Sequence, residues 1–257
     1  MKYISVRQIE EGGTAHCLFT SGGSGYWPYD DIAGTDNYKE LGREYGTDPE
    51  HMIRVDQKHT DRILKAELSS AGSGVVRAGG EGPCDGIITD VPGLMLCIVT
   101  ADCVPVSILD PVKRAAGIVH SGWKGTAAEI SARAVEAMAA EYGSDPADLI
   151  VCLGPYICQD CYEVSDDLKD VFSENFSADE IAKIFRAGRT GHSYLDLGGA
   201  IRLSLGKSGV KSDRIHDPHL CTYHSEERFF SWRRDHTKGK NVLSAIMLKE
   251  GSEQDQK

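Results

Sequence analysis

His59, Cys103 and His120 each stand in a short polar turn between apolar runs, in VDQKHTDRI, LMLCIVTADCVPVSILDP and AAGIVHSGWKGT. Two imidazoles and one thiolate suit Zn²⁺, and three protein ligands leave a fourth position for water or substrate, the pattern of a catalytic rather than a structural zinc. Spacing alone does not establish such a site. No tight Cys-x-x-Cys…His-x-x-x-His ladder joins the three, and taken singly each reads as a small buried thiol or a hydrogen-bonded imidazole. The same atoms also permit a metal-free use, a cysteine hydrolase or amidase with Cys103 as nucleophile and His120 as base.

The flanking elements decide whether these residues can meet. Residues 94–100 (LMLCIVT) form an apolar run too short to span a membrane, and they read as a buried strand ending at Ala101-Asp102-Cys103. Residues 104–109 and 115–119 read as two further strands joined by an Asp110-Pro111 turn, so the second return leads directly to His120. A meander of this kind brings Cys103 and His120 to one end of a sheet. After His120 comes Ser-Gly-Trp-Lys-Gly-Thr and then the clearest helix of the chain, 126–142, with Thr126 as N-cap and Gly143 as terminator. Its glycine-bearing entry, with Lys124, could hold a phosphate or carboxylate; the alternative is a plain strand-to-helix turn with Trp123 in the core. Further strands are expected at 149–153 and 242–248, and helices at 35–45, 166–175, 178–186 and 196–206. Strands that follow one another through short turns predict mixed sheets, hence an α+β chain.

The chain also carries an ordered series of motifs: Gln57-x-His59-Thr60, Cys84-Asp85-Gly86, Thr100-Ala101-Asp102-Cys103-Val104-Pro105-Val106 and Val119-His120-Ser121-Gly122-Trp123-Lys124-Gly125. Gly154-Pro155-Tyr156-Ile157, Cys161-Tyr162-Glu163-Val164, Asp196-Leu197 and Cys221-Thr222 follow, and Phe229-Phe230-Ser231-Trp232-Arg233-Arg234 closes the series. In this wording, from about residue 50 to 248, the chain resembles the YfiH-like laccase-domain family, described both as multicopper polyphenol oxidases and as purine nucleoside phosphorylases. The resemblance implies a layered sandwich of mixed β-sheets flanked by helices. It also implies a zinc held by His59, Cys103 and His120, with purine nucleoside and phosphate as partners.

The implied reactions are phosphorolysis of adenosine, inosine or methylthioadenosine and deamination of adenosine. Within that picture Cys103, His120 and Asp102 are candidate catalytic residues, and Gln57, Asp85, Lys124, Arg233 and Arg234 are candidate substrate contacts. Asp102 and Asp85 could equally orient a ligand histidine, and Gln57 could order the His59 loop rather than meet a purine edge. Copper is the weaker cofactor expectation, because nine histidines with no His-x-His pair do not match a multicopper cluster. Three departures from the family wording stand out: a shortened TSGGSGYWPYDDIAG near the N-terminus, Lys124 where arginine is usual, and Lys238-Gly239-Lys240 in place of Thr-Gly-Arg. Lysine keeps the charge but loses the planar bidentate fork.

A chain of 257 residues, 40% hydrophobic and 26% charged, can bury one sizeable core. We expect one domain over 1–248 and a polar tail over 249–257. The net charge of −11 argues against non-specific nucleic-acid binding. No membrane segment is expected, and a monomer is compatible with the sequence. MKYISVRQIEEGG lacks a signal pattern, so the cytoplasm is expected and the eight cysteines are read as reduced thiols. Cys158-x-x-Cys161, with no second Cys-x-x-Cys, reads as packing rather than as a metal or redox pair. The histidines of 216–224 read as solvated loop residues.

Overall fold

The computed structural model describes residues 3–22, 27, 36–78, 82–237 and 240–251. The N-terminal part contains β1 (Tyr3–Ser5), α1 (Arg7–Glu10), β2 (Ala15–Thr20), α2 (Asp36–Tyr45), β3 (Met52–Arg54), β4 (Ile63–Lys65) and β5 (Gly86–Thr89). The middle contains β6 (Met95–Thr100), β7 (Val104–Asp110), β8 (Ala115–Ser121), α3 (Trp123–Ala127), α4 (Ile130–Tyr142), β9 (Ile150–Leu153), β10 (Glu163–Ser165), α5 (Leu168–Phe172) and α6 (Ala178–Ile184). The rest is β11 (Phe185–Ala187), β12 (His192–Leu195), α7 (Leu197–Lys207), β13 (Ile215–His216), α8 (Trp232–Asp235) and β14 (Val242–Leu248).

Among the described residues three sheets form, in the orders β1-β2-β14-β6-β3, β13-β9-β7-β8-β5-β4 and β10-β12-β11. The two large ones are mixed: β3 runs parallel to β6, β4 to β5 and β13 to β9, and their other pairings are antiparallel. They pack face to face, which explains why their central strands are continuous apolar runs. Along β6, Leu96 and Ile98 enter the core between the sheets, whereas Met95, Cys97 and Val99 enter the core on the opposite face. Strand β14 divides the same way, with Ile246 inward and Ala245 and Met247 outward. In β8, Ala116 and Ile118 join the shared core while Val119 faces α4 and α7. This period-two alternation builds four layers, α2, sheet, sheet and then α4 with α7. The architecture is the α+β layered sandwich expected, with no helix among the described residues long and apolar enough to cross a membrane.

The expected helix 126–142 divides in two. The first turn starts at Trp123 with Gly122 as its N-cap, and Glu129 at φ 56° separates α3 from α4. Thr126 caps nothing: its hydroxyl is 2.8 Å from that of Ser121 and ties the end of β8 to the turn. Gly143 ends α4 as predicted, at φ 68°, where a glycine carries no Cβ penalty. Of the expected polar tail, Lys249 is fixed by its N–H to the Thr14 carbonyl at 2.9 Å, and residues from 252 onward lie outside those described. Most of the shortened N-terminal segment and Lys238-Gly239 also lie outside them.

Candidate active site

The ends of β6 and β8 and the loop after β3 place the three donors together. His59, Cys103 and His120 offer ligand atoms that all lie within 4.8 Å of one another. The Cys103 Sγ is 4.0 Å from His59 Nε2, and the two imidazoles meet edge to face with centroids 4.8 Å apart. Two of the three turns depend on a left-handed backbone at a residue with a side chain, His59 at φ 60° and Asp102 at φ 84°. Such conformations cost free energy and persist only where the surroundings over-determine them. Here they are. Asp85 accepts from the backbone N–H groups of Lys58 (3.1 Å), His59 (3.0 Å) and Thr60 (2.6 Å) and from the Thr60 hydroxyl (2.8 Å). Asp102 accepts from the Thr222 hydroxyl (2.5 Å), the Ser231 hydroxyl (3.1 Å) and the Arg233 N–H (2.7 Å), and its carbonyl accepts from Ile157 N–H (3.0 Å).

Asp85 does a second job. Its Oδ1 is 2.7 Å from His120 Nδ1, which fixes a proton on that nitrogen and leaves Nε2 as the ring atom where a metal would take the place of a proton. Burial would raise the Asp85 carboxyl, but His120 and the Thr60 donors outweigh it and bring it down to about 2. Burial likewise pushes the Cys103 thiol up, yet the charge of His120 and hydrogen bonds from both imidazoles lower it to about 6. His120 moves the other way, to about 9, because Cys103 and Asp85 favour its charged form more than burial opposes it. The set therefore stabilises a thiolate, the form a metal takes. Two imidazoles and a thiolate with a carboxylate behind one histidine fit zinc by donor type and by outer support.

Gly122 supplies the room. A Cβ there would stand 2.8 Å from His59 Cδ2 and 3.0 Å from Cys103 Sγ, so any side chain would enter the cluster. The donors open on a cleft of about 500 Å³ whose lining includes Gln57, Lys58, Thr100, Trp232 and Asn241. That volume suits a small-molecule ligand. Trp232 is 48% exposed, and Thr100 Oγ1 is buried without a hydrogen-bond partner among the described residues.

The other candidate residues have these places and partners. Gln57 spends both ends of its amide on Val99, donating to the carbonyl (2.8 Å) and accepting from the N–H (2.9 Å), so it orders the His59 loop. Asp85 and Asp102 position neighbours rather than face the cleft. Lys124 does not line the cleft; it lies over the Trp123 ring, 5.5 Å from the centroid. Arg234 donates to the carbonyls of Thr222, Tyr223 and Phe229 and pairs with Asp235 at 2.7 Å, because its fork fits a carbonyl-rich loop. Arg233 donates to the Glu163 carbonyl at 2.9 Å and stacks on Tyr162. Among the described lining residues the one lysine or arginine is Lys58, its ammonium 3.0 Å from Asp56. Lys58, Thr100 and Trp232 all sit inside quoted motifs or beside them, but nothing in a linear pattern marks which of their neighbours point into a cleft.

A layered sandwich that gathers two imidazoles and a thiolate at the ends of adjacent strands, with a carboxylate behind one histidine, defines a laccase-domain fold with a metal-competent centre. The chain belongs to the family described as multi-copper polyphenol oxidoreductase laccase, which matches residues 9–249. It is 32% identical to the purine nucleoside phosphorylase YlmD of Bacillus subtilis, covering 94% of this chain and 87% of that one. It is 30% identical to adenosine deaminase RL5 from an unknown prokaryotic organism, over 76% of this chain and 74% of the relative. The crystal structure of the Bacillus licheniformis hypothetical protein YfiH superposes with a TM-score of 0.82 at 32% identity, covering 94% of this chain and 95% of the other.

Proposed function

We propose that this chain is a zinc-dependent purine nucleoside phosphorylase acting on adenosine, inosine and methylthioadenosine, and that the same centre deaminates adenosine. The observation that carries the reading is the convergence of His59, Cys103 and His120 at an aromatic-edged cleft of nucleoside size. The names of the relatives support the substrate class. His59, Cys103 and His120 would hold the metal. When bound, zinc supplies Lewis-acid charge and lowers the pKa of water at its open position.

The chain's own groups do the rest. Trp232 presents a half-exposed ring against which a purine can stack. Lys58 lines the cleft, and its ammonium, 3.0 Å from Asp56, would exchange that carboxylate for phosphate when phosphate enters. In phosphorolysis a phosphate oxygen bonds C1′, and the electron pair of the breaking C1′–N9 bond leaves with the purine, which takes up a proton. Asp85 keeps His120 in one tautomer and Asp102 holds the turn that carries Cys103. The reading takes residues 1–248 as one domain, supported by the core that the two large sheets share. Eight cysteines without a disulfide accord with a reducing compartment, and the reading places the enzyme in the cytoplasm.

Copper-dependent polyphenol oxidation is not favoured, because the two metal-competent groups among the described residues hold three histidines between them. A cysteine hydrolase is the second reading, favoured by the Cys103, His120 and Asp85 arrangement. The test is incubation of purified protein with adenosine, with and without phosphate, and chromatography of the products. Ribose 1-phosphate with adenine is expected for phosphorolysis and inosine for deamination; neither product would overturn the nucleoside reading. Full activity after metal removal, abolished by thiol alkylation, would favour the hydrolase.

A further inference from the structure

We propose that Cys158, Cys161, Cys221 and His224 form a second metal site, a closed Cys₃His centre that takes a structural zinc ion. It shares no ligand with His59, Cys103 and His120 and does not rest on the nucleoside reading. One ligand atom from each of the four residues can be chosen so that all lie within 4.8 Å of one another. With Zn–S bonds of about 2.3 Å, tetrahedral sulfurs stand roughly 3.8 Å apart, so small side-chain adjustments close the shell. The Cys158 Sγ and the Cys161 Sγ are each 3.9 Å from His224 Nδ1, so one nitrogen faces both sulfurs.

The sequence supplies the donors as two halves of equal span, Cys158-x-x-Cys161 and Cys221-x-x-His224. The first half is a 3₁₀ turn over Gln159–Cys161. The second is held against it by backbone bonds, Tyr156 N–H to the Leu220 carbonyl and Thr222 N–H to the Tyr156 carbonyl, both 3.0 Å. The Cys158 N–H points at the Cys221 sulfur at 3.4 Å, a donor placed to stabilise a thiolate there. All three thiols are unpaired, so no disulfide competes for the sulfurs.

The donor chemistry selects the ion. Three thiolates and one imidazole favour a soft or borderline cation over magnesium or calcium, and four protein ligands leave no open position for substrate. The centre is therefore a clip. It joins the turn after β9 to the loop before α8, and that loop carries Thr222, whose hydroxyl holds Asp102 beside Cys103. The Ile157 N–H reaches the Asp102 carbonyl from the other side of the clip.

The test is elemental analysis of protein purified without chelator: wild type, His59→Ala/Cys103→Ala, and Cys158→Ser/His224→Ala. Wild type is expected to hold about two zinc ions per chain and each double variant about one. Metal-free His59→Ala/Cys103→Ala protein would overturn the proposal, as would a metal in it that survives addition of Cys158→Ser and His224→Ala. A Cys158–Cys161 disulfide in the intact mass of the purified protein would overturn it too. Should Cys158→Ser/His224→Ala fail to fold, cobalt titration of folded, metal-stripped His59→Ala/Cys103→Ala decides: an intense thiolate-to-cobalt charge-transfer band is expected, and its absence overturns the site. Loss of nucleoside turnover with both metals retained would strike the functional reading and leave this one standing.

Discussion

Asp85 has no exposed surface, and five donors surround its carboxylate: three backbone N–H groups, the Thr60 hydroxyl and His120. Replacing it by Asn keeps the shape but gives the His120 Nδ1–H a poorer acceptor, so metal affinity at His59, Cys103 and His120 should fall about 10–100-fold. Competition with a chromophoric chelator measures this, and unchanged affinity would show that the carboxylate does not tune the ligand. Gly122→Ala tests the neighbouring turn. The added methyl displaces either the His59 ring or the Cys103 thiol, so zinc content should drop while the circular dichroism spectrum stays as in wild type. Full occupancy in that variant would mean the turn gives way instead. Much of this centre was legible in the sequence, because His59, Cys103 and His120 each punctuate an apolar run. The Cys158, Cys161, Cys221 and His224 group was not, since Cys221-x-x-His224 becomes a half-site only once the fold brings it to the turn that ends at Cys161, 60 positions earlier in the chain. His219, by contrast, is the exposed loop histidine expected, with only 3.4 Å to Asp217 to orient it.

The elements that position the site owe their accuracy to two-sided burial. Runs such as 94–100 and 242–248 are strands in the sequence for the same reason that they sit centrally in the sheets: both faces need apolar cover. Strands β10 to β13 lack that signature, because they are short and carry polar residues at partly exposed positions, and the pairings of β10 with β12 and of β13 with β9 join segments distant in the chain. Ile118 in β8 belongs to the core between the two large sheets, two residues before His120. Ile118→Ala should cost about 2–5 kcal/mol in denaturant unfolding, through lost transfer energy and the cavity left behind. A cost near zero would mean that the sheets are not packed together there. Asp102→Ala acts on a different element, the turn between β6 and β7. It strands the Thr222 hydroxyl, the Ser231 hydroxyl and the Arg233 N–H, and a loss of about 1–3 kcal/mol is expected where such donors stay buried. Recovery of that loss by Asp102→Asn would show hydrogen bonding, rather than charge, to be what the turn requires.

At the scale of the whole molecule, two metal-competent groups flank one turn, the first through Cys103 and the second through the loop that holds Asp102. An ion bound to the folded chain at a thousand times its Kd stabilises it by about 4 kcal/mol. Chelation should therefore lower the calorimetric melting temperature of wild type, and by less in Cys158→Ser/His224→Ala; equal drops in the two proteins would remove the clip from the account of stability. The cleft has a further consequence, an optical one. Of the three tryptophans, Trp27 is buried in the core, Trp123 is half-buried beneath Lys124, and Trp232 stands half-exposed at the mouth of the cleft. A ring that leaves water when a purine covers it changes its emission, so the protein should report its own occupancy by fluorescence, with Trp232→Phe silent and Trp27→Phe still responsive.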